Sequence, residues 1–70
     1  MAKYLFVPDR VKFDESFAIE ARNVDEAVEM AEKELCCNTV CSVFEILPFE
    51  LLYLFQVEFY EGENPRRLGI

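Results

Sequence analysis

Seventy residues make one domain, residues 1–70, and a chain this short buries only about 60% of the surface it exposes when unfolded, so association with another chain would steady it. At 53% hydrophobic, with seven Phe and three Tyr, the chain is too apolar to stay disordered. Fourteen acidic residues against seven basic ones leave a net charge of −7, which repels nucleic acid and anionic membrane and attracts basic surfaces.

Residues 3 to 7, Lys-Tyr-Leu-Phe-Val, are aromatic and β-branched and run into Pro8, which cannot donate to a ladder; they predict a first strand. Asp9 to Glu15 carries five charges in seven residues, with Val11 and Phe13 alternating among them, and reads as a connection or a ragged strand edge. From Ser16 to Arg22, Phe17, Ile19 and Ala21 alternate with Ala18, Glu20 and Arg22, the period of two of a strand with one wet face. This second strand is most simply the hairpin partner of the first.

Asn23 to Cys37 is the one stretch with a helical period. Val24, Ala27, Val28, Ala31 and Leu35 fall at i, i+3, i+4, i+7 and i+11 and line one side. Asn23 is a favourable N-cap, Glu26 completes a pair of the capping-box kind, and Asp25 and Glu26 put negative charge at the positive end of the helix dipole. The other side of the helix is acidic: Asp25, Glu26, Glu29, Glu32 and Glu34 against Lys33.

After the helix, Asn38 is expected as a left-handed cap, and Thr39 to Leu47 as a third strand rich in Thr, Val, Phe and Ile. Pro48 and Glu50 punctuate the chain. Leu51 to Tyr60, the most apolar segment, reads as a fourth strand, since its aromatic and Val-rich continuation argues against a helix. Residues 61–70, with Gly62, Asn64, Pro65 and Gly69, have turn chemistry and form a loose tail unless they fold back on the sheet.

Strand, strand, helix, strand, strand predicts an α+β domain: a four-stranded antiparallel sheet, order β-β-α-β-β, with the helix on one face. The expected core is Phe17, Ile19, Ala21, Phe44, Ile46, Phe55, Val57 and Phe59 under Val24, Ala27, Val28, Ala31 and Leu35. One helix covers one face, so the other side of the fourth strand, with Leu52, Leu54 and Tyr60, is left as an expected oligomer interface. The competing cover is the tail, through Leu68 and Ile70.

Little chemistry accompanies this fold. With no His, no Trp and two Gly, there is no Ser-His or Cys-His pair and no phosphate-cradling loop, so no catalytic residue and no cofactor is expected. Carboxylate pairs such as Asp25 with Glu29 sit on an exposed helix face, where they are ordinarily solvated charges. Cys36, Cys37 and Cys41 fall short of the four Cys or His ligands of a structural zinc site, so no metal is expected and they read as reduced thiols. The apolar run from Met1 to Pro8 is too short for a signal peptide, and no stretch approaches the roughly 20 apolar residues of a membrane span, which makes the cytoplasm the expected compartment.

The acidic helix face has two readings. Carboxylates three and four residues apart on a helix lie roughly 5 to 6 Å from one another, close to the spacing of phosphates along a nucleic-acid strand, so the face can occupy a cationic channel built for DNA or RNA. The plainer explanation is an acidic face kept for solubility.

A hairpin, a helix carrying Asp25-Glu26-Ala27-Val28 and Ala31-Glu32-Lys33-Glu34-Leu35, a Cys-rich turn into Thr39-Val40 and a second hairpin resemble, over about residues 3 to 60, the small acidic phage-encoded anti-CRISPR proteins. Those proteins are grouped by what they block, so no residue's role carries over by position. The resemblance implies a non-enzymatic inhibitor whose partner is a basic nucleic-acid-handling host complex such as a CRISPR effector. The alternative is a small structural or assembly protein acting through its apolar sheet face, as a homodimer or with another protein.

One prediction follows from the cysteines. All three should react as thiols in the unfolded, purified protein, and a chelator should leave the melting temperature unchanged; stoichiometric zinc in the native protein would point instead to a site shared between chains.

Overall fold

The computed structural model describes residues 1–8, 16–35 and 38–68. Its elements are β1 (Ala2–Pro8), β2 (Phe17–Ala21), α1 (Val24–Glu34), β3 (Thr39–Ile46), β4 (Leu51–Phe59) and β5 (Arg66–Leu68). The α+β class and the single helix over one face of an antiparallel sheet agree with the sequence. The strand count does not: the sheet has five strands, in the order β2-β1-β3-β4-β5, because residues expected to form a loose tail return as β5. The charged segment from Asp9 to Glu15 and the pair Cys36 and Cys37 lie outside the described residues.

β1 runs between β2 and β3 and pairs antiparallel with both, Tyr4 facing Ile19 on one side and Glu45 on the other. β2 and β3 therefore run parallel to each other. Parallel strands cannot be joined by a tight turn, and α1 makes the crossover, packing chiefly on β2 and β1. Ala27 and Ala31, fully buried, carry no bulk beyond a methyl, so the helix settles close on the sheet, with Val28 filling the space beside them.

Under the helix lie Tyr4, Phe6, Ile19, Ala21, Cys41, Val43, Val57 and Phe59, all buried, with Phe17, Phe55, Val24 and Leu35 packed partly against them. Phe6 stacks on Phe17 with ring centroids 5.5 Å apart. Burial pushes the Tyr4 phenol above its ordinary pKa, and the nearby Glu45 carboxylate adds to the shift.

The core expected from sequence is corrected at β3. Cys41 and Val43 face the helix, which puts Phe44 and Ile46 on the open face, and β1 supplies Tyr4 and Phe6 in their place. β3 is apolar on both sides, so its alternation does not say which side is inside; the register with β1 decides it.

A bulge then divides β4. Val43 pairs with Phe55, but Phe44 pairs with Tyr53, leaving Leu54 as the extra residue. One inserted residue reverses the facing of everything before it. Phe55, Val57 and Phe59 look toward the helix side, while Tyr53 and Leu51 join Phe44 and Ile46 on the open face, Tyr53 meeting Phe44 edge to face at 5.5 Å.

Helix and turns close the chain locally. Asn23 Oδ1 accepts from the Glu26 N–H at 2.8 Å, as an N-cap should. The helix ends three residues sooner than its pattern suggests, with Leu35 already extended and its N–H donating to the Ala31 carbonyl. Asn38 is not left-handed; among the described residues only Gly62, at φ +80°, is. The Asn38 side chain instead accepts from the Glu61 N–H at 2.9 Å, tying the start of β3 to the turn after β4. That turn is closed by Glu63 N–H donating to the Tyr60 carbonyl, with Gly62 at the position where a type II turn needs positive φ.

Phe6→Ala removes a fully buried ring from beneath the helix. We expect a loss of about 3–5 kcal/mol, against a total of roughly 3.5 to 10 kcal/mol for a domain of this length, so the variant should be largely unfolded in urea concentrations that leave the parent native, with the same denaturant slope if the unfolded state is unchanged.

Candidate functional site

The five acidic residues read from the helix do not form one surface. Asp25, Glu29 and Glu32 follow one another at i, i+4 and i+7 and make a stripe along a groove between α1 and β5. Glu26 and Glu34 lie on a second line, separated by the exposed Met30. The groove encloses about 460 Å³, with Val57 as its floor, Asp25, Val28, Glu29, Glu32 and Lys33 on the helix wall, and Asn64, Pro65 and Arg67 on the other.

Two of the five carboxylates have structural partners. Glu26 Oε1 accepts the Arg22 backbone N–H at 2.8 Å, and Oε2 pairs with the Arg22 guanidinium at 3.1 Å. The reciprocal half of the capping box thus falls one residue before the N-cap. The backbone N–H and then the Arg22 side chain hold the Glu26 carboxyl below its ordinary pKa, and the same pair raises that of Arg22. Asp25 is bound by Arg67, whose guanidinium also lies over the Phe55 ring, 4.3 Å from its centroid. Arg67 therefore clamps β5 to both the helix and β4, although exposed pairs of this kind each contribute at most about 1 kcal/mol.

Glu29, Glu32 and Glu34 pair with no described residue. Beyond them, the turn from β4 to β5 carries Glu61 and Glu63, both exposed, and leads directly into the Asn64 and Pro65 wall of the groove. Reading the helix alone missed these two. The segment Glu61-Gly62-Glu63 was legible only as a turn, and nothing local says that it returns beside the helix.

The expected oligomer interface is also divided. Leu52 pairs with Glu45 on the helix side of the sheet, 46% exposed; Leu54 is the bulged residue, packed partly on the core; and Tyr60 donates its hydroxyl to Glu58 Oε2 at 2.9 Å. That hydrogen bond, chiefly, raises the Tyr60 pKa. Glu58 is itself bridged by Arg66 at 3.3 Å, so Tyr60 belongs to a polar cluster on β4 and β5. The apolar exposure gathers elsewhere, at the hairpin between β3 and β4: Phe49 at 97%, Leu51 at 51% and Tyr53 at 54%, beside Leu52.

Among the described residues, no three Cys, Asp or Glu side chains come together as a metal site, and Cys41 is buried in the core. No helix among them is long and apolar enough to cross a membrane. Compared with protein-family models, with curated proteins and with solved structures, the chain matches none.

The Glu26 contact sets a pH prediction. A carboxyl whose folded pKa is depressed contributes stability that is present above its unfolded value, about 4, and is lost as pH falls through the folded value. Glu26→Gln should lower the melting temperature at pH 7 and flatten part of the acid limb of the stability curve. Thermal melts of the variant and the parent between pH 2 and pH 7 make the comparison.

Proposed function

We propose that this protein acts by binding, without catalysis, as an inhibitor that lays its acidic side on the basic surface with which a nucleic-acid-handling host complex holds DNA or RNA. In this reading it is phage-encoded, works in the host cytoplasm, and has a CRISPR effector as the kind of target its resemblance to the anti-CRISPR proteins suggests. One observation carries it. The described arginines are consumed internally, Arg22 by Glu26, Arg66 by Glu58 and Arg67 by Asp25, while Glu29 and Glu32 stand exposed beside Lys33 on the helix wall of the groove, and Glu61 and Glu63 stand exposed in the turn that leads into its other wall. A net excess of this sign attracts lysines and arginines, steers their approach and repels nucleic acid itself.

A second reading is favoured by a different observation. The exposed Phe49, Leu51, Leu52 and Tyr53 lie at the end of β4 opposite the acidic turn, nine strand residues or about 30 Å away. They suit a small assembly protein that associates through apolar surface. Because the two regions share no residue, each can be disabled without the other.

Glu29→Gln with Glu32→Gln removes the unpaired charge and spares the capping Glu26 and the clamped Asp25. The double variant should fold like the parent. Its affinity for a basic partner recovered from host lysate should fall by at least about tenfold, and the parent's own affinity should fall steeply between low and high salt. Full binding by the folded double variant, insensitive to salt, would remove the acidic-surface reading and leave the apolar one.

A further inference from the structure

α1 covers one face of the sheet, and no described element lies across the other. Strand pairing fixes what that open face shows. At one end the register runs Glu20, Lys3, Ile46, Leu51 across β2, β1, β3 and β4; the next row holds Leu5, Phe44 and Tyr53; and at the far end Glu58 on β4 stands opposite Arg66 on β5. The apolar residues therefore form a diagonal band, from Leu51 and Tyr53 through Ile46 and Phe44 to Leu5 and Val7. The charges stand at the two corners beside the band, Lys3 with Glu20 at one and Glu58 with Arg66 at the other.

We infer that two copies of this chain pack open face to open face about a two-fold along this apolar diagonal, each charged corner resting on the opposite corner of the second copy. The inference rests on the assembly reading above and makes it specific. Charge selects a second copy as the occupant. The described charges on the face are two acids and two bases, so the face is neutral while the chain as a whole carries −7, and it is the side on which two like chains repel least. A strongly basic partner finds no excess of acid there. The corners are also complementary to one another: one has its acid on the edge strand and its base inside, the other its base on the edge strand and its acid inside. Laid corner on corner, unlike charges come together at both.

The same pattern selects the axis. A two-fold along the strands would lay Lys3 on the second copy's Leu51, and one across the strands would lay Glu58 on it, each burying a charge against leucine. The diagonal axis instead lays band on band. It crosses the strands of the two sheets at near right angles, one of the two ways in which sheets pack face to face. Five strands make the sheet about as wide as β1 is long, roughly 20 to 25 Å each way, so crossing forfeits little overlap. The strands present about 500 Å² of face per copy, and the pair buries about 1,000 Å², the lower end of specific interfaces. The contact is isologous and closes at two subunits.

Sedimentation of the full-length protein from about 1 to 500 µM reads the association by mass action. A monomer–dimer equilibrium is expected, weakened at least about tenfold by Lys3→Glu, by Glu58→Lys and by Tyr53→Ser, each taken singly. Mixing the first two variants is the sharper arm: the doubly acidic corner of one meets the doubly basic corner of the other, and heterodimers should form with about the parent's affinity. Lys3 and Tyr53 are exposed and outside the core, so those two variants should keep the parent's circular dichroism, and Lys3→Glu reads the corner by itself where Glu58→Lys loosens β5. A dimer indifferent to Lys3→Glu would overturn the face-to-face packing, and its loss on Tyr53→Ser would then leave association through the hairpin. A monomer at every concentration would overturn both.

Discussion

The structure turns on the mismatch between one short helix and a wide sheet. α1 has 11 residues, about 16 Å of helix, while five strands span about 19 Å between their outer axes and β4 alone is about 30 Å long. The helix is anchored by its crossover between β2 and β3, so it lies toward that half of the sheet. Its alanines let it bury Phe6, Cys41, Val43 and Val57 completely. What it cannot reach is the far half of β4. The exposed hairpin and the groove beside β5 are two consequences of the same shortfall.

β5 mends part of that gap by polar means. Three residues give little apolar area, and the strand is held by Arg66 on Glu58, by Arg67 on Asp25 and Phe55, and by the Gly62 turn that delivers it. These contacts engage Arg66 and Arg67, two of the three described arginines, while Arg22 is held by Glu26 and Lys33 is the cation left beside Glu29 and Glu32. The acidic surface is thus linked to the fold: two of the charges that could balance it are engaged in holding the last strand. Salt should loosen β5, since the strand depends on exposed ion pairs.

Sequence legibility followed periodicity. The helix was readable from Val24, Ala27, Val28 and Ala31, and so was its cap, because Asn23 and Glu26 act over four residues of local chain. β2 was readable from strict alternation. β3 and β4 were readable as strands, but the facing of β3 and of the first half of β4 was not, since Val40, Cys41, Val43 and Phe44, and then Leu51 to Phe55, are apolar with no period from which to choose a face. The bulge at Leu54 is a decision of pairing, as is β5, whose Arg-Arg-Leu has no strand signature and exists through residues distant in the chain. The same holds for the acidic surface. Its helix half was visible as a stripe; that the turn carrying Glu61 and Glu63 leads into the other wall of the groove follows only from the pairing of β5 on β4.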